Sequence, residues 1–97
     1  MIYSVEILEE VFYDIEEAIL YYDLRVKGLG MRFYSEFQNT IELITYSPYS
    51  FNKKKKNYRQ VKIENFPYYI VYEIEHKRII VSRLFHVKRN PKNKFKN

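Results

Sequence analysis

The residues best suited to chemistry lie in the second half of the chain. His86 is an imidazole that can give or take a proton near neutral pH. Arg59 and Arg83 carry planar guanidinium forks that can hold phosphate through paired hydrogen bonds. Lys53, Lys54, Lys55 and Lys56 follow one another without a break, and Lys88 and Arg89 come just after His86. Cations gathered in this way suit a site that meets phosphate or an acidic partner.

Each of these residues also has a plain structural reading. His86 can close a strand end through ordinary hydrogen bonds. Arg83 sits in an apolar run, where its stem can pack while its head stays wet. Arg59 can be a surface or partner contact. The four lysines repel one another and fit a solvated loop or the start of a strand. Tyr68, Tyr69 and Tyr72 fit a sheet surface or core as well as a platform for stacked bases. His76 falls in a polar break and is expected to be inert.

The totals narrow the choice. The 97 residues suit a single domain spanning 1–97. Cysteine is absent, so disulfides, thiolate metal sites and cysteine nucleophiles are excluded; with two histidines, no metal or other cofactor is expected. The chain begins without a basic stretch leading into a long apolar run, and no run approaches the ~20 apolar residues of a membrane span. A cytoplasmic protein with no membrane partner is the expectation. Charge is divided unevenly: residues 1–48 hold nine acidic and three basic side chains (net −6), and residues 49–97 hold fourteen basic and three acidic ones (net +11). The second half should therefore attract an anionic partner, nucleic acid or an acidic protein segment.

The elements that must position these groups follow from periodicity. Residues 2–7 alternate and predict a first strand. Leu8, Phe12, Ile15, Ile19, Tyr22 and Val26 recur at gaps of four and three, predicting one apolar helix face. Gly28 and Gly30 break the pattern, and either can supply a left-handed cap. A second helix is predicted over about 31–46, with Tyr34, Phe37, Ile41 and Ile44 on its face and Phe33 and Leu43 widening it; Pro48 ends it. Strands are predicted over 58–63, from Phe66-Pro67 onward, and over 79–87, the last two joined at His76-Lys77-Arg78 as a hairpin. On the third strand Tyr68, Ile70, Tyr72 and Ile74 should face the helices. On the fourth, Ile79, Val81, Arg83 and Phe85 should share one face and Ile80, Ser82, Leu84 and His86 the other; both sets contain apolar residues, which leaves open the one that meets the helices. The fold class is α+β, order β-α-α-β-β-β, a two-helix hairpin packed on an antiparallel sheet of about four strands.

This organisation resembles the RelE/ParE superfamily of toxins from bacterial type II toxin–antitoxin modules, the plasmid stabilisation family. The resemblance covers nearly the whole chain. It rests on the element order, on Asp14-Ile15-Glu16-Glu17-Ala18 followed by Tyr21-Tyr22, and on Pro48 closing the second helix. Phe66-Pro67-Tyr68 with Tyr72, and His86 followed by Arg89-Asn90-Pro91, carry it furthest. Similar members often have Trp shortly after the Arg-x-Pro ending, where this chain has Lys94 and Phe95.

The resemblance implies a growth inhibitor neutralised by an acidic antitoxin. RelE-like members cut mRNA in the ribosomal A site, and ParE-like members poison DNA gyrase without nuclease activity. Metal-independent RNA cleavage needs a base for the 2′-hydroxyl, cations for the phosphate and an acid for the leaving oxygen. His86, Arg59 and Arg83 are the candidates, with Lys53, Lys54, Lys55, Lys56, Lys88 and Arg89 as nucleic-acid or antitoxin contacts. The set is incomplete: no Tyr follows Tyr72, and only Glu64 or Glu73 could partner His86. The expected function is therefore a ParE-like gyrase inhibitor, with a ribosome-dependent mRNA endonuclease as the alternative and a non-toxic RNA-binding module behind it.

Overall fold

In a computed structural model, residues 3–88 are described. Six elements follow in chain order: β1 (Ser4–Ile7), α1 (Glu9–Arg25), α2 (Leu29–Tyr46), β2 (Arg59–Lys62), β3 (Tyr68–Glu75) and β4 (Arg78–His86). The predicted order β-α-α-β-β-β is the observed one, and the two helices lie on one face of a four-stranded sheet.

The sheet runs β1-β4-β3-β2. β2–β3 and β3–β4 are antiparallel, as short connections require, but β1 lies parallel to β4 with Ser4 opposite Arg78 and Ile7 opposite Val81. The sheet is thus mixed where a wholly antiparallel one was expected. The helical hairpin carries the chain from one edge of the sheet at β1 to the other at β2, so the β1 pairing is nonlocal and no turn between neighbours sets its direction.

Glu9 and Glu10 in the first turn of α1 and Arg25 in its last complement the helix dipole. Its core face is Val11, Ile15 and Ala18, with Ile19 and Tyr22 partly buried. Phe12 and Val26, expected on that face, are 51% and 58% exposed, and Val26 lies past the last helical residue. The spacing 11-15-18-22 has the same rhythm as the expected stripe and shares Ile15 and Tyr22 with it. α2 begins two residues earlier than expected and buries Phe33, Phe37 and Ile44, while Leu43 faces outward.

The two glycines have separate jobs. Gly28 holds φ 87° ahead of α2, a conformation that disfavours any side chain with a Cβ. Gly30 is helical, and a Cβ there would collide with the Ile19 carbonyl of α1. Its N–H donates to the Asp23 side chain at Oδ1, 2.7 Å away, which ties the start of α2 to α1.

Tyr68, Ile70 and Tyr72 meet the helices as expected, joined by Val61, Ile63, Ile79, Val81 and Leu84. An aromatic cluster of Tyr22, Phe33, Phe66 and Tyr68 locks helices to sheet, with Phe33 lying 5.3 Å from Phe66 and 5.1 Å from Tyr68, ring centre to ring centre. On β4 the expected alternation fails. Val71 pairs with Arg83 but Tyr72 pairs with Val81, so Ser82 is an extra residue in a β-bulge. Ile79 and Val81 therefore share the helix-facing side with Leu84 and His86, while Arg83 and Phe85 turn to the opposite side.

Candidate functional site

The stretch between α2 and β2 is held by two side chains from the sheet. Tyr72 is wholly buried, and its hydroxyl donates to the Pro48 carbonyl at 2.6 Å, fixing the chain just after α2 ends. Burial pushes the Tyr72 hydroxyl pKa up to about 12, against the opposing pull of the nearby Arg59 charge. Arg59 stands opposite Tyr72 in the ladder, which puts it on the helix-facing side of the sheet. Its Nη1 donates to the Phe51 carbonyl at 2.7 Å, and its guanidinium lies 5.1 Å from the centre of the Tyr49 ring.

Beyond this anchor the chain makes a small hairpin. Lys53 bridges to Arg59, the Lys54 N–H donates to the Tyr58 carbonyl at 2.7 Å, and the Tyr58 N–H donates to the Lys55 carbonyl at 2.9 Å. The four lysines therefore occupy one strand and the tip of a ribbon that leads into β2. All four are exposed. Lys56 sits at φ 54°, a left-handed conformation usually left to Gly or Asn.

The other expected site residues lie elsewhere. His86 is opposite Tyr68 on the helix-facing side; its ring meets Tyr68 edge-on at 4.9 Å, and its Nδ1 accepts the Lys88 N–H at 3.1 Å. That bond requires Nδ1 to carry no proton. Arg83 is opposite Val71 and half-buried on the reverse side of the sheet. Arg59 and His86 share a side, but their ladder partners Tyr72 and Tyr68 are four residues apart, roughly 13 Å along β3. The fold does not bring Arg59, Arg83 and His86 into one site. Lys88 is exposed past the end of β4, and Arg89 lies outside the described residues, as do Asn90, Pro91, Lys94 and Phe95.

Sequence reasoning missed four features of the fold. The Tyr72 hydroxyl reaches 24 residues back along the chain, which no local pattern reveals. Lys62 donates from Nζ to the carbonyls of Ile63 and Phe66, at 3.1 and 3.0 Å, and so pins the β2–β3 turn. Gln60, opposite Val71 on the reverse side of the sheet, is buried with an Oε1 that finds no hydrogen-bond partner among the described residues. Arg78, at the far end of the sheet, pairs with Glu75 at 2.6 Å and Glu6 at 3.1 Å, and the hydrogen bond to Arg78 holds the Glu75 carboxyl below its usual pKa. Among the described residues no group of three or more His, Cys, Asp or Glu is placed to hold a metal ion, and no helix is long and apolar enough to cross a membrane.

A second surface lies on the helical layer. Ile7, Phe12, Tyr34, Ile41 and Glu42 line a shallow groove of about 410 Å³ between β1, α1 and α2. It meets the exposed flank of α2 at Asn39, Leu43 and Tyr46.

No curated protein sequence matches the chain. Among solved structures, a chain described as the chromosomal ParDE TA system from P. aeruginosa superposes with a TM-score of 0.80 at 11% identity, over 90% of this chain and 98% of that one, a likeness of fold. The family described as the ParE toxin of type II toxin–antitoxin system, parDE, matches residues 5–91, which takes in both helices, β2, β3 and β4, all of β1 but its first residue, and the lysine segment before β2. With that match over most of its length, the chain belongs to the ParE toxin family of type II toxin–antitoxin systems.

Proposed function

We propose that this chain is a growth-inhibiting toxin, that an acidic antitoxin neutralises it, and that it acts by binding DNA gyrase and not by cutting RNA. The observation that carries the reading is the separation of Arg59, Arg83 and His86. Metal-independent RNA cleavage needs its base, acid and phosphate-binding cations around one phosphate, within hydrogen-bonding reach of it. Here Arg83 lies across the sheet from the other two, and Arg59 already spends a donor on the Phe51 carbonyl. His86 is packed on Tyr68 and accepts a backbone N–H, the role of a strand-end histidine.

A binder needs a shaped surface and no proton transfer. The net charge of +11 over residues 49–97 supports an acidic antitoxin as partner, and so does the likeness to a structure described as a ParDE toxin–antitoxin system. The test is a supercoiling assay with purified gyrase, relaxed plasmid and ATP. Added toxin is expected to suppress supercoiling and accumulate cleaved DNA, and added antitoxin to restore activity. Unimpaired gyrase together with mRNA cut in the ribosomal A site would reverse the assignment.

A further inference from the structure

We propose that the lysine ribbon ahead of β2 is a binding element for the backbone of duplex DNA. The geometry and charge of residues 53–59 carry this independently of the choice of gyrase as target. Between Glu42 and Glu64 the chain has no acidic residue and six cations. Two of the six are engaged in the fold: Arg59 holds the Phe51 carbonyl, and Lys62 holds those of Ile63 and Phe66. Lys53, Lys54, Lys55 and Lys56 are the remaining four, all exposed, and none is in an ion pair among the described residues.

Their setting differs from that of a floppy charged loop. The single Lys53–Arg59 bridge and the two backbone bonds between residues 54, 55 and 58 close the segment into a tight turn. Tyr72 and Arg59 fix its base to the sheet. Four like charges in a fixed element repel each other, so folding gains nothing electrostatically by gathering them. Lys56 adds a second cost, because a left-handed backbone at φ 54° is cheaper for Gly or for the Asn that follows it. Asn65 and His76 take the same left-handed conformation in the other two turns, so the gathered charge is what points to an external polyanion. Duplex DNA offers the densest line of phosphates to point-charge lysines. A single strand or an acidic polypeptide offers fewer charges over the same length.

The test titrates the full-length chain into a fluorescently labelled duplex of about two helical turns, between about 50 and 200 mM salt. Replacing Lys53, Lys54, Lys55 and Lys56 together by Gln is expected to weaken binding at least about tenfold and to lower the salt slope by about 3 to 4. A control removes four exposed cations elsewhere, Arg25, Lys27, Arg32 and Lys77, also as Gln, and is expected to change the slope by less than about one. Lys56→Gly is the sharper variant: it should raise the melting temperature while lowering affinity, because it relieves the backbone and deletes one charge. The proposal is overturned if the four-lysine variant keeps its affinity, if the control loses as much, or if single-stranded RNA of equal length binds more tightly than the duplex. No gyrase is present, so a negative result leaves the reading of the target untouched.

Discussion

The helical layer and the ribbon end of the sheet are built on different physical terms. In α1 and α2 the apolar side chains do the work: Val11, Ile15, Phe33, Phe37 and Ile44 are buried, and the hairpin closes at Gly30 without a side chain between the backbones. Between α2 and β2 only Pro48 is buried and Phe51 packs partly against the core, and polar bonds from Tyr72 and Arg59 to main-chain carbonyls add to that hold. The first region carries negative charge and the second positive. The segment is anchored at its base by Tyr72, Arg59 and Phe51, and its tip is not tied into the core.

That contrast predicts how substitutions should rank. The largest effect is expected at Phe33→Ala, which empties the aromatic cluster and should cost about 3–5 kcal/mol in denaturant unfolding; a loss below about 1 kcal/mol would mean that the cluster does not hold helices to sheet. Gly30→Ala comes next, at about 1–3 kcal/mol, because the helices must part to clear the Ile19 carbonyl. Tyr72→Phe removes the bond to Pro48 and should cost about 1–2 kcal/mol, with faster amide exchange concentrated after α2. Exchange rising evenly through the helices would erase the distinction between the two regions.

The same tyrosine gives a pH signature. Its hydroxyl is held neutral up to about 12 in the folded chain, against 10.0 ordinarily. The unfolded chain releases that proton first, so Tyr72's contribution is complete below pH 10 and is lost as pH rises toward 12. Tyr72→Phe should flatten this part of the stability curve. The smallest effect is expected at Lys56→Gly, a gain of about 1 kcal/mol from relief of the left-handed backbone. A loss of stability there would mean that the ribbon, too, is built chiefly for the fold.

The sequence made some of this legible and hid the rest for identifiable reasons. The helix-facing side of β3 was readable because Tyr68, Ile70 and Tyr72 alternate without interruption. β4 was not, because the single extra residue Ser82 reverses the faces beyond it and leaves no trace in the apolar pattern. The α1 face was only partly legible because a second stripe of equal rhythm, Val11, Ile15, Ala18 and Tyr22, shares Ile15 and Tyr22 with the expected one. β1 pairs with β4 across more than seventy residues, beyond the reach of local turn chemistry. As for the site, alternation alone already set Arg83 and His86 on opposite sides of their strand; that Arg59 is spent on the Phe51 carbonyl depends on a loop path no spacing encodes.

If the proposed inhibition does not run through Arg83 and His86 as catalytic groups, growth after brief induction of the Arg83→Ala/His86→Ala double variant without antitoxin decides it, alongside a melting curve showing that the variant folds. Arrest as complete as that caused by the unaltered chain is expected. A folded double variant that lets cells grow normally would contradict it.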